Sequence, residues 1–207
     1  GQIAYIGSTS GLNMIINIFC GVLLNAATGI AQQVNSAIYS FVSNFQTAFN
    51  PQLIQTYSSG NLEVHRILLS RASRISYYLL YIISLPVLIN TSYILHLWLK
   101  EVPDHSVTFT QLIITFSLIE ALGAPLWMSM QATGKIKTYQ IIVSSINALN
   151  IPIAFVCLYQ GLAVESIFYA KILIGLFMYI FRVLYILPLI NFSYMDYFKK
   201  VVYPTVA

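Results

Sequence analysis

The sequence predicts an all-α membrane protein, a polytopic bundle of about six transmembrane helices. The chain has 207 residues, 58% of them hydrophobic and only 8% charged, and its mean hydropathy is +0.76. A soluble domain usually carries about 25% charged residues. Residues 1–62 contain no Asp, Glu, Lys, Arg or His, as expected of segments embedded in lipid or in a membrane bundle. This composition argues strongly against a soluble enzyme.

Six hydrophobic segments account for most of the chain. As helices they would be about 33–43 Å long, enough to cross the bilayer core with some tilt. A membrane barrel would instead show segments of about ten residues alternating in polarity. We therefore predict one bundle over 1–190, with 191–207 as a juxtamembrane tail or the start of a truncated further segment. The predicted spans are residues 3–24, 29–57, 75–99, 107–132, 138–159 and 164–190.

Basic residues fall almost entirely on one side of these spans. Positively charged loops stay in the cytoplasm, so both ends of the segment are predicted to be cytoplasmic. The basic residues are scattered singly, which argues against nucleic-acid binding. The basic side carries Arg66, Arg71, Arg74, Lys135, Lys137, Lys199 and Lys200, and the other side carries Lys100.

The second predicted span is half polar. At 100° per residue, every strongly polar side chain between residues 30 and 50 falls within one half-turn, and the other half is apolar. Polar groups facing hydrocarbon are costly, so this half must face other helices or water. One or two such residues suffice to join helices, so eleven favour a hydrated path that contacts polar substrate. They are Gln32, Gln33, Asn35, Ser36, Tyr39, Ser40, Ser43, Asn44, Gln46, Thr47 and Asn50.

Three charged residues lie well inside predicted spans, away from the span ends, namely Glu120, Lys171 and Arg182. Each costs about 2.5–3.5 kcal/mol at the centre of a membrane helix, which favours an orientation toward the bundle interior. Lys171 or Arg182 could meet an anionic phosphate, and Glu120 could carry a coupling proton. The alternatives are a structural ion pair for Glu120 and snorkelling to the cytoplasmic interface for Arg182. The sequence contains no catalytic, metal-binding or cofactor-binding motif, so we predict no enzyme.

Four stretches resemble the polysaccharide-biosynthesis flippases that export O-antigen and related lipid-linked oligosaccharides. That family belongs to the multidrug/oligosaccharidyl-lipid/polysaccharide exporter superfamily. The resemblance covers nearly all of the chain, and the motif in the second span is specific to the family. The stretches are 25–35 (NAATGIAQQVN), 40–52 (SFVSNFQTAFNPQ), 94–103 (ILHLWLKEVP) and 131–140 (QATGKIKTYQ).

The resemblance implies one half of a two-bundle exporter fold in the bacterial inner membrane. Such flippases move undecaprenyl-pyrophosphate-linked oligosaccharide between leaflets by alternating access, without a cofactor. The chain looks like the carboxy-terminal bundle, so its implied partners are the lipid-linked substrate, membrane lipids, an amino-terminal bundle and glycan-assembly proteins. The implied cavity residues are the polar ones of the second span with Lys171 and Arg182. A multidrug exporter or a non-transporting membrane scaffold of a glycan-assembly complex stays open as an alternative.

Overall fold

Helices make up nearly the whole of the described chain, and none of its residues lies in a strand. The structure is a computed structural model that describes the backbone of residues 2–206 and the side chains of residues 7 and 10–205. Residues 1 and 207, which belong to the predicted bundle and tail, lie outside the described residues. The all-α membrane bundle is confirmed. The elements are α1 (Gln2–Ser58), α2 (Leu62–Ile89), α3 (Thr91–Trp98), α4 (Ser106–Thr133), α5 (Ile136–Ala148), α6 (Asn150–Tyr159), α7 (Glu165–Leu189), α8 (Tyr194–Tyr197), a π-helical turn (Phe198–Val202) and α9 (Tyr203–Val206).

The first two predicted spans form a single element, α1, that folds back on itself at Gly21. There φ is 82° and ψ is 178°, a conformation open almost solely to glycine. Gln32 Nε2 donates a hydrogen bond to Asn13 Oδ1 at 3.4 Å, although 19 residues would separate the two by about 28 Å along a straight helix. Residues 2–20 and 22–58 are therefore two arms lying side by side. The loop predicted between residues 24 and 29 is wrong, because one glycine makes the turn.

Five stretches of the described chain are helical, long and apolar enough to cross a membrane, against six predicted. The count differs because α1 joins two predicted spans, whereas α5 and α6 together form the predicted fifth span. The fourth and sixth predicted spans agree with α4 and α7 to within one residue at each end. The arm of residues 22–58 would be about 55 Å long, so it extends beyond a bilayer core of about 30 Å.

The third predicted span, 75–99, is wrong at both ends. Helix α2 begins at Leu62, where the Asn61 side chain accepts a hydrogen bond from the Val64 amide. It ends at Ile89, and the short helix α3 follows after Asn90. Hydropathy located the apolar run but not the helix, because the helix begins about three and a half turns earlier and includes the arginine-rich segment that the sequence predicts as a loop.

Helix α4 lies at the centre of the bundle and packs against α1, α2 and α7. Close packing with α7 depends partly on Gly175, where a Cβ would lie 2.7 Å from the ring of Phe116. Helices α1 and α7 both lie on α4 but make little contact with each other. The space between α1 and α7 has α4 as its floor and is bounded on the other side by α5 and α6, which pack against both helices; we call this space the groove.

The connections separate two ends of the bundle. The basic end contains residues 58–62, 133–136 and 189–194, and it is tied together by the bond from Arg66 Nε to the Ile190 carbonyl, 3.1 Å. The opposite end contains the Gly21 turn and the segment before α4, which together line a cavity of about 540 Å³. There His105 Nδ1 binds the carboxylate of Glu165 at the start of α7.

The tail after α7 is helical and packs along α2. Arg66 of α2 binds the Ile190 carbonyl, and Tyr78, three turns further along α2, donates to the Pro204 carbonyl. Tyr197 is buried, and its hydroxyl lies 3.2 Å from that of Tyr179. Burial raises the pKa of the Tyr197 phenol well above its usual value, so the group stays neutral. The division of the chain at residue 190 stays a prediction.

Candidate functional site

The polar and apolar halves of the second arm of α1 are each partly buried and partly exposed. Ala31, Ile38 and Val42 of the apolar half are buried within the bundle, whereas Phe41 of the same half is 62% exposed. One edge of the polar half turns into the groove and its remainder faces outward. Gln46 is buried and Gln32, Asn35, Tyr39, Ser43 and Asn50 are half-buried, while Gln33, Ser36, Ser40, Asn44 and Thr47 are exposed.

Some polar atoms on the edge of the polar half that faces the groove have no hydrogen-bond partner among the described residues. Gln46 Nε2 donates to the Ala121 carbonyl of α4 at 3.4 Å, so this predicted cavity residue joins two helices. Asn35 Oδ1 and Asn50 Oδ1 are buried and have no hydrogen-bond partner among the described residues. Buried acceptors rarely stay unpaired, so water or a ligand group is expected to serve them.

Three hydroxyls of the polar half bond to carbonyls of the helix itself. Ser40 Oγ donates to the Ala37 carbonyl at 2.7 Å, Ser43 Oγ to the Ser40 carbonyl at 3.0 Å and Thr47 Oγ1 to the Ser43 carbonyl at 2.8 Å. Such bonds let a hydroxyl tolerate an apolar environment. Each exposed primary amide has two N–H donors, and bonds within its own helix cannot use both of them. Exposed amide residues such as Gln33 and Asn44 are therefore the main indication of water along this face.

An ion pair crosses the groove floor. Arg182 Nη1 of α7 lies 3.4 Å from Glu120 Oε1 of α4, with 12% and 31% of the two side chains exposed. The sequence left this pairing open, because the two residues are not level along their helices. A helical side chain leans toward the amino terminus of its helix, so Arg182 reaches back toward the bundle centre and Glu120. The alternative of snorkelling to the interface does not hold for Arg182.

Gly123 makes room for this arginine. A Cβ at residue 123 would lie 2.7 Å from Arg182 Nη1 and 3.5 Å from Arg182 Cδ. The glycine thus provides a notch in α4 one turn after Glu120. Tyr39 of α1 and Tyr139 of α5 also interact electrostatically with Arg182, which places the guanidinium beside the polar edge of α1.

Lys171 lies nearer the opposite end of the same groove. Its Nζ is 4.8 Å from the centroid of the Phe116 ring, a cation–π contact. With Asn13 and Gln32 it lines a small cavity between the arms of α1 and α7. No carboxylate of the described residues lies within ion-pair distance of it, although Glu120 attracts it from further away.

Sequence reasoning missed His65, which falls in the loop predicted between residues 57 and 75. His65 is 0% exposed and lies in the first turn of α2. Its Nδ1 donates to the Leu53 carbonyl at 3.0 Å, since a carbonyl can only accept, and Ser129 Oγ lies 2.6 Å from its Nε2. The ring therefore joins α1, α2 and α4 at the basic end. Asn61 as a helix-capping residue followed by Glu63 was the signal that could have placed the start of α2 here.

The fold and the groove define an all-α, membrane-embedded helix bundle with a polar face on α1 and an ion pair in its interior. The residues predicted for the cavity are thus partly brought together: the polar edge of α1, Glu120 and Arg182 share one groove, Lys171 lies further along it, and the exposed half of the polar face points away. No protein-family model, curated protein or solved structure matches the chain. The resemblance to oligosaccharide flippases stays a prediction.

Proposed function

We propose that the chain is one half of a flippase that moves a lipid-linked oligosaccharide, of the undecaprenyl-pyrophosphate class, across a bacterial inner membrane. The observation that carries the proposal is the half-polar arm of α1. Amides and hydroxyls suit the many hydroxyls of a glycan, and the groove beside them offers cations to a pyrophosphate. No covalent chemistry is required, because alternating access changes which side of the membrane the site faces.

The positive-inside rule orients this proposal. The basic end of the bundle, with residues such as Arg71 and Lys135, faces the cytoplasm, so both ends of the chain lie there. The exposed part of the polar face then faces a second bundle across a hydrated cavity, and the apolar part around Phe41 faces lipid. Membrane lipids and glycan-assembly proteins complete the proposed surroundings. Nucleic acid is not among the proposed partners.

A multidrug exporter is the weaker candidate. Export of amphipathic cations is expected to use several acidic groups in the cavity, and Glu120 is the one acidic residue well inside a predicted span. A membrane scaffold that does not transport would not explain the polar face of α1. Neither alternative gains support from the geometry of the groove.

The experiment deletes the gene for the chain in its native host and measures surface glycan together with lipid-linked oligosaccharide. Loss of surface glycan and accumulation of the lipid-linked precursor are expected, and the wild-type gene restores both. A Gln33→Leu/Asn44→Leu variant should reach the membrane at the wild-type level yet fail to restore surface glycan. Both residues are exposed, so the substitutions spare the packing of the bundle.

The matched control is Ala37→Leu/Ala48→Leu, which adds the same side chain to exposed positions on the apolar half of α1. It should restore surface glycan fully. The proposal fails if the polar-face variant restores glycan as well as this control, or if deletion of the gene leaves surface glycan and precursor unchanged.

A further inference from the structure

The tail leaves an apolar cleft against α7. It lies between residues 179–184 of α7 and residues 194–202 of the tail, its volume is about 560 Å³, and we call it the tail cleft. It opens to the outside, since Ile180, Leu184 and Phe198 in its walls are each more than half exposed. Because α7 ends at Leu189, the tail cleft extends from about 8 to about 15 Å inside the basic end. The positive-inside rule predicts that this end is cytoplasmic, so the cleft would begin near the lipid head groups and reach into hydrocarbon.

The polar groups in the walls of the tail cleft already have protein partners. The hydroxyls of Tyr179 and Tyr197 lie 3.2 Å from each other, and the Tyr194 hydroxyl donates to the Leu184 carbonyl at 3.3 Å. The other side chains that line the cleft are aliphatic, Met or Phe. An apolar cavity of this kind does not hold ordered water. The tail cleft therefore suits a hydrocarbon occupant.

The size of the lining side chains argues against another helix as the occupant. Membrane helices approach closely where small residues line the interface. None of the described residues that line the tail cleft is Gly, Ala, Ser or Thr. The described part of the tail does not turn back into the cleft either, because at Pro204 it lies against Tyr78 of α2. A flexible hydrocarbon chain fits this surface better than a helix does.

Two lysines of the tail place positive charge beside the cleft. Lys199 is exposed and lies within the cleft-lining part of the tail. Lys200 Nζ is 5.9 Å from the centroid of the Phe192 ring, and that ring packs edge-on against Tyr197 of the cleft. With Asp196 as its one acidic residue, the segment 191–207 carries a net charge of +1. Basic pockets on the cytoplasmic side of a membrane protein bind anionic lipid head groups.

We propose that the tail cleft binds one acyl chain of an anionic glycerophospholipid, whose phosphate lies at Lys199 and Lys200. The acyl chain covers the apolar walls, and the two ammonium groups bind the phosphate at the membrane surface. Because one wall of the cleft belongs to α7 and the other to the tail, the bound lipid holds the tail against the bundle. The tail cleft contains none of the residues assigned to the groove, so this inference goes beyond the proposed function and does not depend on it.

The test measures how strongly phospholipids with brominated acyl chains quench a single tryptophan of the full chain in nanodiscs. Trp98 and Trp127 are replaced by phenylalanine, and Phe198→Trp places the reporter in the tail cleft. Brominated phosphatidylglycerol should be enriched at this reporter by at least about fivefold over brominated phosphatidylcholine at the same mole fraction. The control reporter is Phe177→Trp, which is exposed on α7 outside the cleft and should show little preference.

A first pair of variants, each combined with the Phe198→Trp reporter, tests the charges. Lys199→Gln/Lys200→Gln should remove most of the enrichment of phosphatidylglycerol. The matched control is Lys135→Gln/Lys137→Gln, which removes two exposed lysines at the same end of the bundle and should leave the enrichment unchanged. Enrichment that survives the loss of Lys199 and Lys200 would overturn the inference.

A second pair of variants tests the shape of the tail cleft with all charges kept. Ile180→Phe/Leu184→Phe narrows the cleft and should reduce the enrichment at the reporter to less than about twofold. The matched control is Leu173→Phe/Leu176→Phe, which adds the same rings to exposed positions of α7 outside the cleft and should leave the enrichment unchanged. Equal enrichment in the two variants would show that the lysines alone attract the lipid, and would overturn the inference.

Three other results would also overturn it. Equal enrichment at the cleft reporter and at the Phe177→Trp reporter would mean that the cleft does not select the lipid. Absence of quenching by either lipid at the cleft reporter would mean that protein covers the cleft. An unbrominated prenyl phosphate that displaces the brominated lipid better than unbrominated phosphatidylglycerol does would assign the cleft to a prenyl chain.

Discussion

Substituting Gly123 by alanine tests whether the ion pair depends on the notch in α4. The added Cβ would lie 2.7 Å from Arg182 Nη1, so the guanidinium must move by about 0.7 Å to reach an ordinary contact distance. The 3.4 Å pair with Glu120 then lengthens to about 4.1 Å. At an effective dielectric constant of about 20, this lengthening costs about 1 kcal/mol. The cost opposes the gain of about 0.5–1 kcal/mol that alanine brings to a helix interior.

The assay is reversible unfolding in mixed micelles, with Gly29→Ala as the control. Gly29 is also helical, and a Cβ there would meet no atom within 4 Å, so alanine should stabilise the chain. Gly123→Ala should be about 1 kcal/mol less stable than Gly29→Ala, and this gap should shrink to a few tenths in a Glu120→Gln background. Equal stability of the two alanine variants, or an unchanged gap without Glu120, would refute the reasoning.

Three further substitutions probe the fold. His65→Leu should lower the free energy of unfolding by about 1–3 kcal/mol, since it leaves the Leu53 carbonyl and the Ser129 hydroxyl without their partner. The control is leucine at the exposed His96, which should change the free energy of unfolding little. Equal effects of the two substitutions would contradict the role of His65 in joining the helices. Gly21→Ala should cost about 1–3 kcal/mol because alanine disfavours φ near 82°, and a stability at or above that of the wild type would rule out the tight turn of α1. Gln46→Leu should cost about 0.5–1 kcal/mol in the same unfolding assay by removing the bond to α4, and no loss would argue against this bond.

The sequence predicted the fold well where composition decides it. Scarcity of charge marked the membrane segments, and the predicted bounds of α4 and α7 were nearly right because their ends coincide with the ends of apolar runs. It failed at Gly21 and at Leu62 for opposite reasons. At Gly21 a turn needs no polar loop, so hydropathy carries no sign of it. At Leu62 a helix begins well before its apolar part, so hydropathy locates the start too late.

Of the candidate site, the sequence predicted only the polar face of α1 and not the contacts that its residues make. Helical periodicity predicted the polar half of α1 without any knowledge of tertiary structure. The sequence left a structural ion pair of Glu120 open but did not identify Arg182 as its partner, because the pair depends on the lean of one side chain and on space left by Gly123 on another helix. Likewise, periodicity could not separate Gln46, which packs against α4, from the exposed Asn44.

The central claim is that water, rather than lipid, covers the exposed polar half of α1. Cysteines placed one at a time at Ser36, Ser40 and Thr47 probe the polar half, and cysteines at Ala37 and Phe41 probe the apolar half. All five positions are exposed in the bundle, so packing alone does not distinguish them.

The measurement is the rate of modification by a small, charged thiol reagent in native membranes, with the native Cys20 and Cys157 replaced by serine. The thiolate is the nucleophile that attacks such a reagent, and it forms in water and not in hydrocarbon. Cysteines on the polar half should react at least about tenfold faster than those on the apolar half. Equal rates at all five positions would contradict a hydrated face and, with it, the proposed path for a polar substrate.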